Sequence, residues 1–307
     1  MRKNIVLTLL LAAALALPAI SAEPKKLLLV NVTTGFRHSA IPTGEKIITK
    51  LGKESGLFTV DVVQQPPNKP NPPKRPDNPT AEQEAKYKED MAKYKDAEAK
   101  WQAELKKEMQ KLSPENLKNY DGVIFNNTTG DLPLPDPQAF LDWIKAGHAF
   151  IGIHAATDTF HGFKPYIEMI GAEFQTHGAQ VSVDCINEDP KHPACKDLSN
   201  TFTVFDEIYL FKNFNRDTVH TLLGLDKHPN NKTPGYYAVA YCKEYGKGKV
   251  FYTSLGHRED IWDENTPPNF KRQNPPEVSK AYQKHLLGGI KWALGLEPGD
   301  AKPQTAK

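Results

Sequence analysis

The sequence predicts an α/β fold: a mainly parallel β-sheet with helices on both faces, carrying one inserted proline-rich and helical arm. Three observations support that expectation. Apolar runs of strand length alternate with helical stretches, the rhythm that builds parallel sheets from strand–helix–strand units. Helix ends carry their own chemistry, such as Asp136 followed by Pro137 at a start and Gly147 or Gly295 at a stop. The rhythm also resumes beyond residues 64–110 as if uninterrupted. A chain of 307 residues is long enough to bury a sizeable core. Its 39 basic and 37 acidic residues leave a net charge of +2, so neither a nucleic-acid partner nor a membrane surface is expected.

In order, "KKLLLVNV" is the first strand and ends in "TTGFRH". A helix from Thr43 to Leu51 follows, with Thr43 as its N-cap, and then the strand "LFTVDVV". The tract "QQPPNKPNPPKRPDNP" is too rich in proline for a helix or a central strand. Beyond it, residues 81–112 read as a helix, with Tyr87, Met91, Tyr94, Ala97, Trp101, Leu105, Met109 and Leu112 on one stripe. That helix is either an arm that docks a protein partner or an inserted element folded back on the domain. "YDGVIFNN" is the next strand, "TTGDLPLP" a loop, and "DPQAFLDWIKAG" a helix. "AFIGIHAATD" is a strand plus turn, and "VSVDC", "YYAVAYCKEY" and "KVFYTSLGH" are further strands. A final helix runs from about Glu277 to Leu294, and residues 299–307 form a flexible tail.

Residues 1–22 read as a secretory signal peptide: Arg2 and Lys3, an apolar stretch from Ile5 to Ile20, then small Ser21 and Ala22. The alternative is an uncleaved anchor, for which the run is short. The mature domain then spans 23–298, periplasmic or secreted and without a stable membrane anchor. In such an oxidising space Cys185 and Cys195, which flank a loop of turn formers, could pair, while Cys242 reads as a buried small hydrophobe.

Ligands of open α/β sheets bind beyond the carboxyl ends of the strands. Four strand ends here deliver polar groups to one rim, three of them with a histidine. The first supplies Thr34, Phe36, Arg37 and His38, the second Thr128 and Asp131, the third His154 and Asp158, and the last His257 and Glu259. His177, beside a glycine, could reach the same rim. His154, His257 and Asp158 are the catalytic candidates. Thr34, Arg37, His38, Thr128, Asp131, His177 and Glu259 are candidates for holding substrate. His38, His154 and His257 are numerous enough to bind a divalent metal such as zinc, with Asp158 and Glu259 as candidate carboxylates, although no compact ligand motif is present.

His154 is the sharpest of these. Gly152-Ile153-His154-Ala155-Ala156 has the layout of a nucleophile elbow, where small neighbours permit a tight turn around an exposed central side chain. An imidazole there suits acid–base catalysis near neutral pH or metal ligation. It is also open to a purely structural role, hydrogen-bonded into the loops.

The stretches "TTGFRHSAIPTG", "SPENLKNYDGVIFNNTTGD", "FIGIHAATDTF", "GAEFQTHGA" and "VFYTSLGHRED", with the later "HLLGGIKWALG", together resemble the ThuA-like (trehalose-utilisation) family. The resemblance runs from about Lys26 to Leu296, apart from the insertion. It implies membership of the class I glutamine amidotransferase-like superfamily, a flavodoxin-like core and a link to sugar utilisation. The elbow position that carries the catalytic cysteine in the amidotransferases is matched here by His154, so the resemblance implies no thiol-dependent glutaminase. The expected function is that of an exported protein acting on a small-molecule carbohydrate or sugar derivative, as a hydrolase or a lyase-like enzyme. A non-catalytic sugar-binding module and an envelope docking protein working through the inserted arm are the alternatives. Phe36, Phe160, Tyr166 and Trp262 are candidates for stacking on sugar faces.

Overall fold

The computed structural model describes residues 23–266 and 269–304, and the leader expected at 1–22 lies outside the described residues. The chain enters as β1 (Lys25–Asn31), whose side chains alternate between two core layers: Leu27 and Leu29 join one, Leu28 and Val30 the other. α1 (Ile41–Ser55) leads to β2 (Phe58–Gln64), which pairs parallel to β1. The helix starts earlier than Thr43 suggests. Ala40 is its N-cap, without a side-chain bond, and Pro42 occupies the first turn, where a missing N–H costs nothing.

After the proline tract, Thr80 and Gln83 form a reciprocal capping box at the start of α2 (Ala81–Met109). Only the end of this long helix packs. Trp101, Leu105 and Met109 are buried in the layer that contains Val30 and Val63, whereas no residue of 81–100 is buried. Ala97, expected on the packed stripe, is exposed. The insertion therefore folds back at one end and projects into solvent at the other.

A short turn and α3 (Pro114–Leu117) lead to β3 (Gly122–Asn126), α4 (Pro137–Lys145) and β4 (Ala149–Ile153). The Asp136 carboxylate caps α4 by accepting from the Ala139 N–H at 2.9 Å. A single helical turn at 154–158 and α5 (Lys164–Ile170) precede a run of strands. These are β5 (Glu173–His177), β6 (Val181–Asn187), β7 (Thr201–Asp206), β8 (Tyr209–Lys212), β9 (His220–Lys227), β10 (Pro234–Tyr245) and β11 (Gly248–Thr253). α6 (Glu259–Trp262) and α7 (Pro276–Ala293) close the fold.

The main sheet has the order β2-β1-β3-β4-β11-β10-β9-β6-β7. Its first five strands are parallel, in the 2-1-3-4-5 order of flavodoxin-like folds. β10, β9, β6 and β7 extend it antiparallel, and β5 pairs with β8 in a separate two-stranded sheet. The α/β class is as expected, with a parallel half that carries an antiparallel extension. β5, β7, β8 and β9 do not stand out in the sequence. β7 alternates exposed and buried residues over six positions, a weak signal beside the continuous apolar runs of the parallel half.

Cys185, Cys195 and Cys242 are free and buried, not paired. Cys195 Sγ lies 3.6 Å from the Leu222 carbonyl and Cys242 Sγ 3.6 Å from that of Asp300. Burial pushes all three thiols above their usual range. The start of the tail is also ordered. Asp300 meets Cys242, the Lys302 carbonyl meets His220 Nδ1 at 2.8 Å, and Gln304 meets Thr221 at 2.7 Å.

Candidate functional site

Three parallel strands end in histidine-bearing loops on the same edge of the sheet. His38 follows β1, His154 follows β4 and His257 follows β11. His154 itself takes a left-handed backbone at φ 46, a conformation that costs a non-glycine residue about 1–3 kcal/mol and persists only when its surroundings impose it. Gly256, at φ 121, makes the turn that presents His257, and a Cβ there would lie 2.9 Å from the Tyr282 hydroxyl. The rings of His38, His154 and His257 sit with centroids 5.0–5.2 Å apart.

The fourth member is Glu207, in the turn between β7 and β8. Its Oε1 lies 3.6 Å from His154 Nε2 and 3.3 Å from His257 Nδ1, and its Oε2 lies 2.9 Å from His177 Nδ1. His154 Nε2 and His257 Nδ1 are 3.3 Å apart. His154 Nδ1 lies 2.6 Å from the Ser254 carbonyl, which can only accept, so Nδ1 carries a hydrogen and Nε2 faces the cluster. Beside Glu207, fully buried Asp206 accepts from the N–H groups of Gly256 (2.8 Å) and His257 (3.3 Å) and so fixes the loop.

Burial and the neighbouring His154 and His257 hold His38 down at about 2, as a neutral imidazole. Burial alone would raise Glu207, but its bonds to His154 and His257 win and keep it ionised below the usual carboxylate range. Burial would lower His257, and Glu207 reverses that and raises it. Desolvation raises Asp206. A cavity of about 350 Å³ opens above the cluster, lined by Phe36, His38, Asp158, Phe174, His177, Glu207, Tyr209 and His257.

The fold thus brings together His38, His154 and His257, with His177 at the mouth and Asp158 on the wall. His154 does not keep the exposed place that the elbow pattern suggests. It is fully buried, because His38, His257 and Tyr209 close over its ring. Other candidates lie elsewhere. Arg37 turns away, its Nη1 donating to the Asn31 carbonyl and to Gln65 at 2.9 Å. The Thr34 hydroxyl is spent on the Thr129 carbonyl and that of Thr128 on Thr159. Asp131 is exposed on its loop, and Glu259 opens α6 outside the cavity lining. The carboxylate of the cluster is therefore Glu207, not Asp158 or Glu259. Asp158 is instead engaged by His161 Nε2 at 2.5 Å, and His161 Nδ1 meets buried Glu173 at 2.9 Å. Of the aromatic candidates only Phe36 lines the cavity; Phe160, Tyr166 and Trp262 are core residues. Phe174 and Tyr209 take their place. The one local signal for Glu207 was "TVFDEIYLF", two consecutive acids inside an alternating apolar segment.

A flavodoxin-ordered α/β domain with a histidine–glutamate pocket at the carboxyl edge of its strands is the class of protein that the fold and site define. A family model described as trehalose utilisation (ThuA) matches residues 78–273, more than half of the chain. The chain belongs to the ThuA family. Among solved structures it is similar to a ThuA-like protein from Parabacteroides merdae ATCC 43184, with a TM-score of 0.59 at 16% identity over 88% of this chain and 90% of that one. A second, from Bacteroides uniformis ATCC 8492, gives a TM-score of 0.56 at 17% identity over 90% and 95%. Both likenesses concern the fold. No curated protein matches the chain.

Proposed function

We propose that this ThuA-family protein is an exported enzyme that acts on a carbohydrate or sugar derivative in the cavity above Glu207. The observation that carries the reading is the combination of walls and floor. Phe36, Phe174 and Tyr209 offer aromatic surfaces of the kind that stack on sugar rings, over a floor of ionisable His38, Glu207 and His257. The volume of about 350 Å³ is within the range of small-molecule sites. The family's description supports carbohydrate as the substrate class, and the leader-like residues 1–22 support export.

In this reading Glu207, held ionised by its histidines, orients a hydroxyl. Asp158, steered by His161, supplies a second carboxylate from the wall. Burial keeps the Tyr209 phenol protonated, as a hydrogen-bond donor. The test is calorimetric titration of the purified full chain with trehalose, glucose and their oxidised derivatives, alongside product analysis. Binding that weakens about tenfold in Phe36→Ala, whose side chain is 67% exposed and carries no core load, together with turnover lost in Glu207→Gln, is expected. Sugar binding without turnover would favour a binding module, and no binding of any of these sugars would remove the reading.

A further inference from the structure

We propose that His38, His154, Glu207 and His257 form a binding site for one divalent transition-metal ion of zinc's class. This deepens the reading of the cavity as the working site and rests on it only for the use made of the ion. The four residues each offer one ligand atom, and these atoms all lie within 4.8 Å of one another. Zinc bonds to nitrogen and oxygen of about 2.0–2.2 Å place neighbouring ligands of a tetrahedron about 3.3–3.6 Å apart. Three edges of the cluster, 3.3 Å between His154 and His257, 3.3 Å between His257 and Glu207, and 3.6 Å between His154 and Glu207, match that spacing.

The surroundings argue the same way. The Ser254 carbonyl fixes the His154 tautomer with Nε2 free to coordinate, the arrangement that second-shell partners impose on metal-binding histidines. His177 engages the other oxygen of Glu207 at 2.9 Å, and Asp206 holds the backbone that carries His257. His38, only 4% exposed, has its Nδ1 buried without a hydrogen-bond partner among the described residues. Glu207 and Asp206 bring two neighbouring carboxyl groups out of water, and among the described residues no lysine or arginine forms an ion pair with either. A dication at the centre of the four ligands would neutralise that buried negative charge further. Three imidazoles and one carboxylate suit zinc and its first-row neighbours, not magnesium or calcium. With its coordination expanded to five, such an ion would polarise a carbonyl or hydroxyl oxygen of a bound carbohydrate.

The experiment is titration of Zn²⁺ into the chelator-stripped full-length protein by calorimetry, with Co²⁺ absorption as a second measurement on wild type alone. One equivalent per chain is expected, with cobalt bands of a low-coordinate nitrogen–oxygen site. Isosteric Glu207→Gln should weaken binding more than 100-fold, His177→Ala about 10–100-fold as an outer partner, and Lys243→Ala, remote from the cluster, not at all. Absence of stoichiometric binding by wild type, or binding indifferent to Glu207→Gln, would overturn the site and leave a proton shared among the imidazoles and Glu207. Because the readout is the metal alone, a negative sugar titration leaves this result standing, and the converse also holds.

Discussion

Trp101→Ala tests whether the inserted helix is part of the fold or an appendage. Trp101 is 4% exposed, joins the core layer with Leu105, Met109 and Leu112, and donates from Nε1 to the Pro66 carbonyl at 2.9 Å. A buried tryptophan removes about 150–250 Å² from water, worth roughly 4–6 kcal/mol at 25 cal/mol per Å² as an upper bound. Measured losses for Trp→Ala in cores are about 3–5 kcal/mol, and the lost hydrogen bond adds about 1. The expected destabilisation is therefore about 4–6 kcal/mol, a large share of a typical domain's 5–15. Tyr94→Ala, on the stretch of the same helix that buries nothing, should cost under about 0.5 kcal/mol. Urea unfolding of both variants, followed by circular dichroism, reads the difference as a shift in midpoint at constant slope. If Trp101→Ala falls within 1 kcal/mol of wild type, or matches Tyr94→Ala, the end of the helix is not integral to the core and the packing argument fails.

Gly256→Ala forces a Cβ into a backbone of φ 121 and to within 2.9 Å of the Tyr282 hydroxyl, so it should lower stability by about 2 kcal/mol or more and displace His257. A melt showing wild-type stability would refute that. Thiol titration with Ellman's reagent should find three reactive groups in denatured, unreduced protein and almost none in native protein; fewer than three would mean that a disulfide exists after all. Burial would lower the His161 pKa, but its bonds to Asp158 and Glu173 raise it. The proton-linked stability is thus present below about pH 6.5 and is lost as pH rises through the higher native value. Its side chain is 42% exposed, so screening leaves on the order of 0.5 kcal/mol. The stability gap between wild type and His161→Gln should shrink from pH 6 to pH 9, and a gap that widens contradicts the assignment.

Much of the architecture was legible locally. β1, β3, β4 and β11 are apolar enough to declare themselves, and Asp136 caps α4 as its position before Pro137 implies. Once strand ends are known, the rule that ligands gather at carboxyl edges points to His38, His154 and His257 without any coordinates. These are properties of sequence neighbours, which the chain carries in every conformation.

The rest is decided by which loops become neighbours, and that depends on sheet order. Glu207 enters because the β7–β8 turn lies across the ends of the parallel strands, a placement set by non-local antiparallel pairing in which β7, a short alternating segment, is a weak signal by itself. Arg37 adjoins His38 in sequence yet is drawn away by Asn31 and Gln65, and Tyr166 and Trp262, aromatic and close in sequence to the rim, belong to the core. By itself the sequence determined the α/β class, the strand ends and three histidines that converge there. Only the tertiary structure supplied the carboxylate, buried His154 and chose the aromatic walls, because side-chain direction and non-local pairing are settled by packing rather than by order along the chain.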